Sequence, residues 1–87
     1  MQNTDLTENQ LVAECQAGNM DSFVLLYDIY VEKIYRFIYF RTLHRELAED
    51  ITSQAFVKAY EKIDSFDSSR GNFQSWIYQI ARNLLID

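Results

Sequence analysis

The chain has 87 residues, 48% of them hydrophobic and 15% aromatic, which suits one small domain with a dense core and excludes a disordered segment as its main content. One cysteine and one histidine exclude an internal disulfide and a Cys/His zinc cluster, no apolar run is long enough to cross a membrane, and the absence of proline with only two glycines argues against a many-stranded sandwich. A net charge of −5, taken whole, argues against nucleic acid as a partner.

Read in chain order, the pattern predicts an all-α fold, a compact bundle of about four helices. Residues 1–6, polar and acidic and unlike a signal peptide, read as a disordered tail ahead of one helical domain over residues 7–87. The first helix runs from about Thr7 to Ala17, with a capping box from Thr7 to Gln10, an apolar stripe of Leu11, Val12 and Cys15, and Gly18 as its stop. The second runs from about Met20 to Thr42 with Asn19 as its N-cap, and Phe23, Leu26, Tyr27, Tyr30, Ile34, Phe37 and Ile38 make one continuous face. The third runs from about Glu46 to Ile63. There Leu47, Ile51, Ala55, Ala59 and Ile63 fall four apart, Phe56 and Tyr60 widen the stripe, and Glu46, Glu49 and Asp50 crowd the first turn, where the helix dipole favours negative charge. A polar loop, Asp64 to Gly71, contains a lone Phe66, which either plugs the core beneath it or lines a pocket, the plug being favoured. Asn72 then caps a fourth helix in which Phe73, Trp76, Ile77, Ile80, Ala81, Leu84 and Leu85 repeat at three and four. Phe23, Tyr30, Phe37, Phe56, Trp76 and Ile80 are expected to share one core. The helical pattern is still running at Asp87, so the chain is expected to continue in a longer parent.

No catalytic constellation emerges. There is no glycine-rich phosphate loop, His44 stands alone near a helix start, Cys15 sits on an apolar stripe without a base, and Glu49 and Asp50 point about 100° apart on a helix. The chain is therefore read as a non-enzyme that needs no metal or cofactor. Charge is unevenly spread: residues 1–50 hold nine acids and four bases, residues 51–87 hold four of each, and from Ser68 to Ile86 the only charges are Arg70 and Arg82. Once its core positions are removed, the fourth helix leaves Gln74, Ser75, Tyr78, Gln79, Arg82, Asn83 and Ile86. Amides can read a base edge, arginine can hold a phosphate, and tyrosine offers a ring to an unpaired base. The same residues would equally serve as an ordinary solvated face.

The string from Ala48 to Tyr60, Ala-Glu-Asp-Ile-Thr-Ser-Gln-Ala-Phe-Val-Lys-Ala-Tyr, resembles region 2 of the extracytoplasmic-function sigma factors, whose pattern there is Ala-Glu-Asp-Leu-Val-Gln-Glu-x-Phe-x-Arg/Lys-Ala-Trp/Tyr. Ile63-Asp64-Ser65-Phe66 is similar to their Leu-Asp-x-Phe, and Gly71 to Asn83 to their Gly-x-Phe-x-x-Trp-Leu-x-x-Ile-Ala-x-Asn. Leu11-Val12, Gly18-Asn19, Phe23 and Tyr27 fit at the family's spacing, so the likeness covers about residues 8–87 without a gap.

This resemblance implies a bacterial transcription module with two partners. One is core RNA polymerase, met at the clamp helices of its largest subunit. The other is promoter DNA, met at the minus-ten element, whose non-template strand the domain holds open. Asp50 matches the family's docking aspartate, with Glu49 beside it. Ser53 and Gln54 stand where the family usually carries Gln-Glu, and Gln54 keeps the shape but not the charge. Lys58 and Asn83 match positions that face promoter DNA. The loop from Ser65 to Asn72, with Phe66, matches the segment that accepts a flipped base. Arg70, Asn72, Tyr78, Gln79 and Arg82 complete the expected DNA set. The family also brings an anti-sigma protein into view as a partner, and a cytoplasmic location with it. The second DNA-binding domain, which reads the minus-thirty-five element, is missing from this sequence. The domain alone is expected to be monomeric and to bind DNA weakly. The competing reading is a helical protein-interaction module of the same fold without DNA recognition.

Overall fold

The computed structural model describes residues 7–86. Four helices are present, α1 (Glu8–Gln16), α2 (Asp21–Thr42), α3 (Arg45–Lys62) and α4 (Phe73–Ile86), with one turn of 3-10 helix at Ile63–Ser65. Among the described residues there is no strand, and no helix is long and apolar enough to cross a membrane. The tail expected over residues 1–6 lies outside the described residues.

Local chemistry sets each boundary. Thr7 and Gln10 close the predicted capping box: the Gln10 amide donates to Thr7 Oγ1 at 3.1 Å, and the Thr7 amide donates to Gln10 Oε1 at 2.8 Å. Helix α1 ends in a Schellman turn. Gly18 takes φ +103°, while the amides of Gly18 and Asn19 donate back to the carbonyls of Cys15 and Glu14. That turn corrects the expected cap of α2. The position that caps α2 is Met20, one residue later and without a side-chain cap, while Asn19, whose amide closes α1, reaches only the start of α2, its Oδ1 accepting from the Asp21 amide at 3.2 Å.

The corner between α2 and α3 turns through Leu43 at φ 54°, a left-handed conformation reached without glycine. His44 follows in extended backbone and caps α3, its Nδ1 accepting from the Leu47 amide at 3.1 Å. The sequence had left this histidine without a role, because histidine is not among the usual capping residues.

One core joins all four helices. Leu26, Tyr30, Ile34 and Ile38 of α2, Ala48, Ala55 and Ala59 of α3, and Phe73, Ile77 and Ala81 of α4 are almost wholly enclosed, and α1 adds Leu11, Val12 and Cys15. Helix α3 offers mainly alanines, which lets its neighbours pack close. The buried line on α3 is Ala48, Ile51, Thr52, Ala55, Phe56, Ala59, and it runs on to Ile63. Leu47 and Tyr60, expected on this stripe, are 45% and 49% exposed. Thr52 is buried in their place, and its hydroxyl donates to the Ala48 carbonyl at 2.7 Å. Burial pushes the Cys15 thiol up from its ordinary pKa. Tyr30 is the one large polar side chain at the centre. Its hydroxyl donates to Glu8 Oε2 at 2.6 Å, and burial together with that carboxylate raises its pKa.

Phe37 and Trp76, expected in the centre, lie half-buried at its rim. Steps of three and four select the edges of a stripe as readily as its middle, and only the neighbouring helices decide how wide a stripe is covered. Accordingly, Phe73→Ala is expected to cost about 3–5 kcal/mol and Trp76→Ala to fall at or below the low end of that range. Urea unfolding of the two variants, followed by circular dichroism, checks the order.

Candidate nucleic-acid interface

The connection from α3 to α4 is held down from below. Gln16, at the end of α1, donates through Nε2 to the carbonyls of Ile63 at 2.9 Å and Phe66 at 2.8 Å. These bonds fix the 3-10 turn and the residue after it. The Phe66 amide donates to Ile63 and its ring leans on Trp76 at 4.9 Å between centroids, while Trp76 in turn meets Phe73 at 5.9 Å. Farther along, the Ser69 amide and hydroxyl both donate to Asp67 Oδ1 at 3.0 and 2.7 Å. Those two bonds hold the Asp67 carboxyl below the usual aspartate range. Asn72 caps α4 as predicted, its Oδ1 accepting from the Ser75 amide at 2.8 Å.

This loop and the first two turns of α4 enclose a cleft of about 340 Å³. Phe66, Arg70, Asn72 and Gln79, all expected DNA contacts, line it, together with Ser75 and Trp76. Trp76 and Ser75 were not in the expected set. The signal that could have found Trp76 is Phe66 itself, because a lone aromatic in a polar loop needs an apolar partner close at hand. Phe66 fills both of its predicted roles: it packs on the core through Trp76 and lines the cleft.

The other expected DNA residues stand apart from the cleft. Arg82 and Asn83 are exposed farther along α4, and Lys58 is exposed on α3. Tyr78 was read as a free ring on the polar face. It is half-buried and meets Phe37 of α2 in a T-shaped contact at 5.1 Å, so its ring is partly engaged within the bundle.

The four expected polymerase contacts, Glu49, Asp50, Ser53 and Gln54, are all exposed on α3. Glu49 and Ser53 border a groove of about 320 Å³ against Tyr27, Glu32 and Tyr35 of α2. Ser53 also borders a second, more apolar groove of about 570 Å³, formed with Phe23, Tyr27, Phe56, Val57 and Tyr60. Asp50 and Gln54, one turn apart, lie beside these grooves rather than in them. Among the described residues, no three of His, Cys, Asp or Glu come together as a metal site.

Comparison with known proteins fits this arrangement. Residues 26–87 match the Sigma-70 region 2 family. The chain belongs to that family. It is 42% identical over 78 residues to the ECF RNA polymerase sigma factor BldN of Streptomyces coelicolor, covering 90% of this chain and 30% of that protein. It is 43% identical over 76 residues to the ECF RNA polymerase sigma factor SigW of Bacillus subtilis, covering 87% of this chain and 40% of that one. The chain thus spans well under half the length of these relatives. An engineered region 2 of sigmaE, solved by NMR in complex with GTAAAA, superposes with a TM-score of 0.86 at 35% identity, covering 95% of this chain and 85% of that one. A chain of the RsbN–BldN complex superposes with a TM-score of 0.83 at 40% identity, covering 95% of this chain and 56% of that one. Within this region 2 fold, the Gln16 bridge ties the start of the α3–α4 connection to the end of α1.

Gln16→Ala should therefore speed amide exchange at Phe66 while leaving Ala81 protected, at a cost of about 1 kcal/mol for each lost bond. For Asp67 the sign is that of a depressed carboxyl: its help to the loop is present above the ordinary aspartate range and fades as pH falls through its lowered value. An NMR titration should place its midpoint below that of a free aspartate, and Ser69→Ala should raise it.

Proposed function

We propose that this chain is the promoter-recognition domain of an extracytoplasmic-function sigma factor. It docks on core RNA polymerase through the exposed face of α3 and recognises the minus-ten element on the non-template strand while the promoter opens. The observation that carries this reading is the composition of the α3–α4 cleft. Phe66 and Trp76 offer rings on which a base can stack, Gln79 offers a paired donor and acceptor, Asn72 offers the amide donor that its capping role leaves free, and Arg70 offers a cation to the phosphate. Unstacking a base costs a few kcal/mol, and a cleft that both stacks and hydrogen-bonds it can return that energy. The engineered region 2 of sigmaE carries GTAAAA on the same fold, which supports a single strand as the occupant.

Docking is assigned to Asp50 and Glu49 with Ser53 and Gln54. Acidic side chains on an exposed helix beside apolar grooves suit a protein partner with basic and apolar elements of its own. The BldN relative is found in a complex with RsbN, and an anti-sigma protein is proposed as a further partner of this chain on the same grounds. A domain with these partners works in the cytoplasm.

Two pairs of variants test the assignment. Asp50→Ala should weaken affinity for core polymerase with helicity unchanged. An unaltered affinity would move docking away from α3. For DNA, strands selected by the chain from a random single-stranded library supply the probe. Asn83→Ala should relax the preference for the selected strand over a scrambled one, because a bidentate amide contact discriminates by about 1–3 kcal/mol. Arg82→Ala should instead weaken both strands alike and flatten the salt dependence by about 0.7. Selection that returns no preferred strand would favour the protein-interaction module without DNA recognition.

A further inference from the structure

All four bases of the first 50 residues, Lys33, Arg36, Arg41 and Arg45, fall in one stretch that contains no acid. Counted along the chain they belong to an acidic half. The fold places part of this stretch against the DNA side instead. Helices α2 and α4 run side by side in the same direction, since Tyr30 meets Phe73 at 5.6 Å and Phe37 meets Tyr78 at 5.1 Å. Lys33, Phe37 and Arg41 succeed one another at i, i+4 on α2 and so share one edge.

Arg41 is exposed yet held in place. Its guanidinium lies 3.8 Å from the centre of the Phe37 ring, and Nη1 donates to the Phe37 carbonyl at 3.0 Å. A stacked guanidinium keeps most of its donors free and loses less freedom when it binds an anion. Across the seam, Phe37 abuts Tyr78, and Arg82 follows Tyr78 by one turn on α4. Arg41 and Arg82 therefore each follow by one turn a ring of the Phe37–Tyr78 pair, toward the same end of the seam. Lys33 extends the same edge, with its Nζ 5.5 Å from the Tyr30 ring. Beyond it the edge ends near Glu8, whose carboxylate is engaged by the Tyr30 hydroxyl. The acid nearest in sequence, Glu32, turns away and borders the groove between α2 and α3. Arg36 lies one turn from Glu32 on the outer side and is left out of the edge.

The base cleft opens on the opposite flank of α4, where Ser75 and Gln79 line it. A helix is about 10–12 Å across, so a strand that leaves a base in the cleft and crosses α4 comes to this seam within a few nucleotides. We propose that Arg41 and Lys33 of α2, together with Arg82 of α4, form a phosphate track that holds the backbone of the single promoter strand beside the cleft. The track rests on the reading of the chain as a minus-ten strand binder and adds to it a surface on α2. Its contacts go to phosphates, so it supplies affinity and orientation without sequence preference.

The test is a salt titration of the chain with a labelled strand selected as above, a scrambled strand and a duplex of equal length. Lys33→Gln with Arg41→Gln should weaken the selected and scrambled strands by the same factor and flatten their salt dependence by about 1.4, at about 0.7 per contact. Their preference ratio should not change. Arg41→Lys should keep most of the slope. Lys33→Gln alone, which leaves the Arg41–Phe37 stack intact, should still lose about 0.7, and a thermal melt of each variant confirms folding. An unchanged slope in a folded double variant, with the native chain still selective, overturns the track alone. Loss confined to the duplex overturns the assignment to the single strand. A loss of polymerase affinity with the DNA slope intact makes the seam a protein surface. A native chain with no preferred strand overturns the track and the proposed function together.

Discussion

The rotation of α4 about its own axis is fixed by the burial of Phe73, Ile77, Ile80 and Ala81 against α2 and α3. With a single cysteine, so small a domain has no internal disulfide to brace it, and that apolar contact is what sets the helix and the side chains on its polar face. Ser75 and Gln79 are turned toward the loop, Tyr78 toward α2, and Arg82 and Asn83 toward solvent. A rotation of one residue, about 100°, would exchange these roles. The orientation of the polar face is thus specified by residues buried beneath it.

The loop that completes the cleft depends on longer-range ties. Phe66 packs on Trp76, and Gln16 reaches from α1 to two carbonyls of the connection. An unpaired carbonyl near a core is costly, so these bonds both satisfy the backbone and set its path. Local turns do the rest: Asp67 gathers Ser69, and Asn72 starts α4. Here the first helix, which lines no part of the cleft, acts as its foundation.

Charge shows how far folding can reorder a sequence. The acids Glu49 and Asp50 face outward from α3, beside grooves lined by Tyr27 and Tyr35, and Glu32 joins that side. Lys33 and Arg41 of the same α2 lie along the seam with α4. One helix thus carries opposite charge on two edges, and the sum along the chain conceals it. The molecule separates an acidic, partly apolar face from one where Arg41 stacks on Phe37 and Phe37 meets Tyr78.

The sequence alone determined the helices, the N-caps of the first and last, and the middle of each buried stripe, because these depend on neighbours within one or two turns. The Thr7–Gln10 box, the Gly18 stop and the Asn72 cap could all be read for that reason, and the family motifs from Ala48 to Asn83 named the loop and polar face that form the cleft. The edges of the stripes were not legible. Phe37, Leu47, Tyr60 and Trp76 have the right spacing, but whether such a residue is covered depends on the width of the helix packed across from it. Nor could the sequence show that Gln16 holds a loop some 50 residues away, that Tyr78 turns to Phe37, or that Arg41 stacks on the ring that Tyr78 meets. Those pairings join distant segments, and only the tertiary packing of α4 between α2 and α3 brings them together.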